Sequence, residues 1–103
     1  MEFRKITAVI PVNALESVEK ALQEAGAPDI SVTYVKGYGD YKNFFGSDWT
    51  AEEVKLEIFA AGDSTDRFVD CIMKAAHTGL DSDGFVAVQP VAGFHAIKDR
   101  PPG

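Results

Sequence analysis

Twice along this chain an alternating apolar run gives way to a helix-period run and then to another alternating run. That repeated switch of period restricts the fold more than any other feature. In the first pass, Ile6, Ala8 and Ile10 face one way along Phe3 to Val12 while Thr7 and Val9 face the other. Pro11 falls at the strand's end, where a missing N–H costs little. Asn13 followed by Glu16 has the spacing of a capping box. Leu15, Val18, Leu22 and Ala25 then form one stripe, with Glu16, Glu19, Lys20 and Gln23 opposite. Gly26 supplies a helix stop and Pro28 forbids continuation. Ile30 to Tyr38, rich in β-branched residues, reads as the second strand.

The second pass repeats the plan. Val54, Leu56, Ile58 and Ala60 alternate with Lys55, Glu57 and Phe59 over the strand Val54 to Ala61. Gly62-Asp63-Ser64 supplies a turn and an N-cap for a helix that buries Phe68, Cys71, Ile72 and Ala75, and Gly84 to Pro90 reads as the fourth strand. The order βαββαβ predicts an α+β, ferredoxin-like fold: a four-stranded antiparallel sheet with both helices on one face. Val9 and Phe59 sit on the opposite parity from the core set, so the open face is partly apolar and self-association is expected.

The 103 residues suffice for one domain. Ten Lys and Arg against sixteen Asp and Glu, a formal charge of −6, exclude a dedicated nucleic-acid binder. Cys71 is the only cysteine, which excludes an intrachain disulfide and a multi-cysteine zinc site; a small core residue is its expected role. No apolar run approaches a membrane span and nothing resembles a signal peptide, so a cytoplasmic, non-membrane protein is expected.

Chemistry concentrates in two stretches. Ala75 to Val88 takes a helix into a strand through Thr78-Gly79 and Asp83-Gly84. Gly79 is placed to close the helix in the left-handed conformation, and backbone N–H groups curled around the two glycines can form a concave nest for an anion such as phosphate. Asp63, Asp81 and Asp83 read as turn and cap residues. His77 suits a helix C-terminus. Neither His77 nor His95 has the neighbours of a catalytic motif, so no enzyme is expected. The other stretch, Gly37 to Glu53, has no clean period and gathers Tyr38, Tyr41, Phe44, Phe45 and Trp49 in a connection. Its Thr50-Ala51-Glu52-Glu53 end is expected to cap a short helical turn.

The ordered set of motifs resembles the PII signal-transduction family over nearly the whole length. Val35-Lys36-Gly37-Tyr38-Gly39 is similar to the segment that ends the family's second strand and opens its T-loop. Ala76-His77-Thr78-Gly79, followed by Asp83-Gly84, resembles its B-loop. Val88-Gln89-Pro90-Val91 resembles the end of its last strand, and Arg4 to Ile10 agrees with its opening. The resemblance implies a domain over residues 1–96, with the T-loop at about 37–53 and the B-loop at about 77–84, and a C-terminal tail over 97–103. It also implies a homotrimer with adenine nucleotides in the inter-subunit clefts. Carried over residue by residue, the nucleotide site would include Gly37, Tyr38, Gly39, His77, Thr78, Gly79, Asp83, Gly84, Phe85 and Lys98.

Departures from the family pattern set the expected ligand. Asp40 and Tyr41 stand where classical members have Arg-Gln, which argues against 2-oxoglutarate sensing with magnesium. Phe85 replaces a lysine, Ala96 and Lys98 replace two arginines, and Ser82 replaces a glycine. Fewer cations favour AMP or ADP over ATP. The run Tyr41-Lys42-Asn43-Phe44-Phe45 with Asp48-Trp49 looks most like the PII-like proteins of inorganic-carbon metabolism, some carboxysome-associated. Bicarbonate becomes a candidate second ligand, with Tyr41, Lys42 and Asn43 as candidate contacts, and a protein or transporter becomes the partner of the T-loop. The alternatives are a nitrogen-regulatory PII protein, or a structural or metal-tolerance trimer of the same fold. No resident metal is expected.

Overall fold

The computed structural model describes residues 2–38 and 50–103. The elements are β1 (Phe3–Pro11), α1 (Leu15–Glu24), β2 (Ile30–Tyr38), β3 (Thr50–Ala61), α2 (Thr65–Ala76) and β4 (Phe85–Val91), the βαββαβ order expected. They form one sheet in the order β2-β3-β1-β4, every neighbouring pair antiparallel.

The core follows the two periods. Ile6, Ala8 and Ile10 of β1 lie beside Ile58, Leu56 and Val54 of β3, and all six are buried. Val18 and Leu22 of α1 and Phe68, Ile72 and Ala76 of α2 close over them. Cys71 and Ala75 pack against this cluster but are only partly buried, so the α2 stripe is centred one position away from the expected set. The edge strand β2 gains less cover. Val32 and Tyr34 pair with Leu56 and Val54 and so point to the helical side, yet Tyr34 is 71% exposed.

The structure corrects the expected helix starts. A single 3₁₀ turn, Val12–Ala14, precedes α1, and Ala14 takes the N-cap position with no side-chain bond, so Asn13 does not cap. A matching 3₁₀ turn, Gly62–Ser64, precedes α2, and Ser64 occupies the N-cap position without a capping hydrogen bond. Both strands therefore feed their helix through a tight turn that leaves no extended residue to serve as a side-chain cap. The end of α1 is as expected. Gly26 adopts φ 81°, while the Ala27 N–H donates to Leu22 O at 2.9 Å and the Gly26 N–H to Gln23 O at 3.1 Å, the pattern of a Schellman stop.

A further correction concerns Thr50 to Glu53. These residues form strand and cap no helical turn. The register Ile30↔Ile58 runs unbroken to Val35↔Glu53 and Tyr38↔Thr50. Once β2 extends to Tyr38, its backbone groups need partners, and the hairpin ladder supplies them from β3.

The opposite sheet face is mixed. Lys5 Nζ lies 2.5 Å from Glu57 Oε2, with Lys55 3.9 Å from the other carboxylate oxygen. The hydrogen bond from Lys5 lowers the Glu57 pKa. Beside this charged patch, Phe94 stacks on Phe3 with ring centroids 4.1 Å apart and tilts against Phe59 at 5.9 Å, which folds the segment after β4 back onto the sheet.

Leu22→Ala removes a fully buried side chain between helix and sheet and should cost about 2–5 kcal/mol in urea unfolding. The exposed Gln23→Ala on the same helix should change stability by less than about 0.5 kcal/mol.

Candidate functional site

Two of the sequence-derived segments meet at one end of the sheet. The β2–β3 hairpin continues past Pro11↔Glu53 to Gly37↔Ala51 and Tyr38↔Thr50, beyond the C-terminal end of β1. At the same end Phe85 enters β4 opposite Val9. The loop of residues 77–84 therefore lies at the sheet end from which Gly37 and Tyr38 lead out. Gly39, Tyr41, Lys42 and Asn43 lie outside the described residues, as do Phe44, Phe45 and Trp49.

The loop is built differently from the expected helix stop. α2 ends at Ala76, and His77 is already extended at φ −67°, ψ 125°. Gly79 does adopt φ 89°, but two residues beyond the cap, so it shapes the loop and does not close the helix. Residues Asp81–Asp83 make one 3₁₀ turn, and Gly84 follows at φ 94°. The two glycines answer different demands. A Cβ on Gly79 would meet nothing within 4 Å, whereas one on Gly84 would lie 1.8 Å from the Val9 carbonyl oxygen. Gly84 thus allows the loop backbone to lie directly on β1, and Gly79 supplies only the left-handed turn.

A single carboxylate closes the loop. Asp83 Oδ2 accepts the N–H of Thr78 at 2.7 Å and the N–H of Gly79 at 2.9 Å, and Oδ1 accepts the Thr78 hydroxyl. The bond from the Thr78 hydroxyl, with those from the two amides, lowers the Asp83 pKa, and the nearby His77 acts in the same direction. Asp83 is more than a turn residue. The amides of Thr78 and Gly79, expected as phosphate donors, are already bonded to the chain's own carboxylate. Spacing could not reveal this contact, because it depends on how residues 78–83 curl.

Phe85 is 57% exposed on the open face. Lys98 is not gathered into this site. It lies in a 3₁₀ turn (Ile97–Asp99) after β4 has run away from the loop, and Phe94 ties that segment to Phe3. Phe3 and Val9 are separated by roughly 20 Å of strand. A groove of about 300 Å³ also lies at this far end, between Glu2, Phe3, Arg4 and Pro90 to Phe94. Among the described residues no group of three or more His, Cys, Asp or Glu is gathered to hold a metal ion, and no helix is long and apolar enough to cross a membrane.

The sequence profile described as Nitrogen regulatory protein P-II matches residues 3–100. The Nitrogen regulatory protein P-II of Bradyrhizobium diazoefficiens is 36% identical over 104 residues, covering 94% of this chain and 91% of that protein. Nitrogen regulatory protein P-II 1 of Escherichia coli K12 is 36% identical over 102 residues, covering 92% and 91%. Among solved structures, Arabidopsis thaliana PII bound to citrate superposes with a TM-score of 0.80 at 26% identity, covering 95% of this chain and 85% of that one.

Gly84→Ala should detach the loop from β1 and cost more than about 2 kcal/mol, while Gly79→Ala, with open space around it, should cost only about 1 kcal/mol; urea unfolding of the two variants checks the contrast. The Asp83 pKa is lowered on folding, so its contribution to stability is present above the unfolded value, about 3.9, and is lost as pH falls through the folded value below it. A carboxyl NMR titration should place the Asp83 midpoint under about 3.9.

Proposed function

The chain belongs to the P-II family of regulatory proteins, and on that footing we propose that it binds an adenine nucleotide of low charge, AMP or ADP, and signals through the segment 37–53. The observation that carries this reading is the meeting, at one sheet end, of the hairpin that leads into this segment with the glycine-shaped loop 77–84. A ligand held against the loop would lie beside the base of the hairpin, where it can bias the conformation of the long connection. Binding is then coupled to partner engagement, with no reaction catalysed.

The placement of Lys98 supports a homotrimer. Within one chain, Lys98 and the loop 77–84 occupy opposite ends of the sheet, so a cleft containing both would need a second subunit. The Phe3, Phe59 and Phe94 cluster on the otherwise uncovered face offers apolar surface for that association. The proposed nucleotide contacts are Gly37, Tyr38, Gly39, His77, Thr78, Gly79, Asp83, Gly84, Phe85 and Lys98.

The preference for few charges rests on composition at the site. The loop from His77 to Phe85 contains Asp81 and Asp83 but no lysine or arginine. Bicarbonate is proposed as a second ligand through Tyr41, Lys42 and Asn43, which would link the protein to inorganic carbon and to a protein or transporter partner. A second reading, nitrogen regulation, is favoured by the names of the relatives.

Calorimetric titration of AMP, ADP and ATP, each with and without bicarbonate or 2-oxoglutarate, tests these readings. AMP or ADP should bind at least as tightly as ATP, and bicarbonate should change that affinity. Coupling to 2-oxoglutarate instead would establish the nitrogen reading, and the absence of any nucleotide binding would overturn the proposal.

A further inference from the structure

On the nucleotide-binding reading above, we infer that Phe94 is a positioning residue for that site: its stack on Phe3 pins the segment after β4 and so fixes where Lys98 is presented to a neighbouring subunit. The ladder between β1 and β4 ends at Phe3↔Val91. Three residues later the chain has folded back, and the Phe94 ring lies on the Phe3 ring with centroids 4.1 Å apart and planes 13° from parallel. Phe59, which pairs with Lys5 on the same sheet face, meets the Phe94 ring at 5.9 Å and 41°.

This contact is what holds the segment. Apart from Ala96, residues 92–100 are exposed, and Ile97 is 91% exposed. The backbone hydrogen bonds of the segment are local, from the Asp99 N–H to Ala96 O at 3.0 Å and from the Arg100 N–H to Ile97 O at 3.1 Å. Among the described residues, no side-chain hydrogen bond or ion pair joins it to the sheet. A groove of about 300 Å³ lies between Phe3, Arg4 and residues Pro90 to Phe94, so the segment is held at its ring and not along its length. Rings stacked in this way attract beyond the area they bury, which biases a docking equilibrium by a further factor of about 2 to 13.

The segment matters because of its charge. After Lys74 the sequence holds no lysine or arginine until Lys98 and Arg100. A phosphate near the loop 77–85 must therefore find its cation elsewhere, and in the proposed cleft that cation is Lys98 of a neighbouring subunit. Four residues of chain, at most about 14 Å, separate Lys98 from Phe94. With the ring seated, the Lys98 backbone is confined to that radius around a fixed point on the sheet. With the ring gone, the tether moves back to Val91 and the radius grows to roughly 25 Å. The volume open to Lys98 then rises about 6-fold, and its effective concentration at the cleft falls in proportion.

Affinities for ADP and adenosine are measured by calorimetry on wild type, Phe94→Ala, Phe94→Tyr, Lys98→Ala and the Phe94→Ala, Lys98→Ala double variant. The mass of each in solution is measured by light scattering. Phe94→Ala should weaken ADP binding by about 5-fold and leave adenosine, which has no phosphate for Lys98 to meet, within about 2-fold. Phe94→Tyr keeps the stack and should bind ADP as wild type does. In the Lys98→Ala background Phe94→Ala should have little further effect, because a residue that acts through another adds nothing once that one is gone.

Additive losses in the double variant, or a loss for adenosine equal to that for ADP, would make the ring a general brace and overturn the inference. So would a changed mass in Phe94→Ala, which would make it an assembly contact, and so would an unaffected Lys98→Ala. If Phe94→Ala does not fold, Phe3→Ala removes the other half of the stack and is read in the same way. Wild-type protein that binds no nucleotide would overturn the earlier reading as well. Wild-type binding that Lys98→Ala weakens and Phe94→Ala leaves unchanged overturns this inference alone.

Discussion

β1 carries hydrogen-bond ladders on both edges, to β3 and to β4, and its buried alternation of Ile6, Ala8 and Ile10 is the floor on which both helices rest. A strand paired on both sides has no freedom of register, because a slip by one residue would turn its apolar set outward. The position of everything at the functional end follows. The hairpin base is located by the pairing of Pro11 with Glu53, and the loop before β4 by the pairing of Val9 with Phe85. Gly84 makes the second location exact to within an atom's width, since its missing side chain is what allows the loop to lie on the Val9 carbonyl.

The two helix ends show how similar sequence signals lead to different structures. Gly26 and Gly79 both adopt positive φ after an apolar helical stripe. Gly26 stands immediately after the C-cap and recovers the last carbonyls of α1 in a Schellman motif. Gly79 stands two residues beyond the α2 C-cap, past an extended His77, and there the chain bonds to Asp83 instead. The first arrangement terminates a helix and does nothing else. The second spends its backbone donors on shaping a loop, which is the kind of position where a binding function can be built on a rigid frame.

Charge follows the same division between frame and site. On the open face the Lys5 and Lys55 ammonium groups share the Glu57 carboxylate beside an aromatic cluster, a composition suited to a surface that is covered on association. At the loop the negative charge of Asp83 is held chiefly by hydrogen bonds from Thr78 and Gly79.

Much of this was legible in the residues themselves. Alternation and helical stripes are local properties, so the βαββαβ order, the inward set of β1 and β3, and the extent Ile30–Tyr38 of β2 could be read before any contact was known. The motifs around Gly37, Thr78-Gly79 and Asp83-Gly84 likewise marked the segments that the sheet brings to one end. Local reading failed where a distant partner competed with a local signal. Thr50 to Glu53 resembles a cap, but the unpaired edge of β2 draws it into the ladder. Asn13 and Ser64 are good capping residues that the tight turns after β1 and β3 leave without a bond to make. The separation of Lys98 from the loop, and the capture of the Thr78 and Gly79 amides by Asp83, were decided only by tertiary structure. Strand direction governs the first and the three-dimensional curl of the loop the second, and neither is a property of any residue alone.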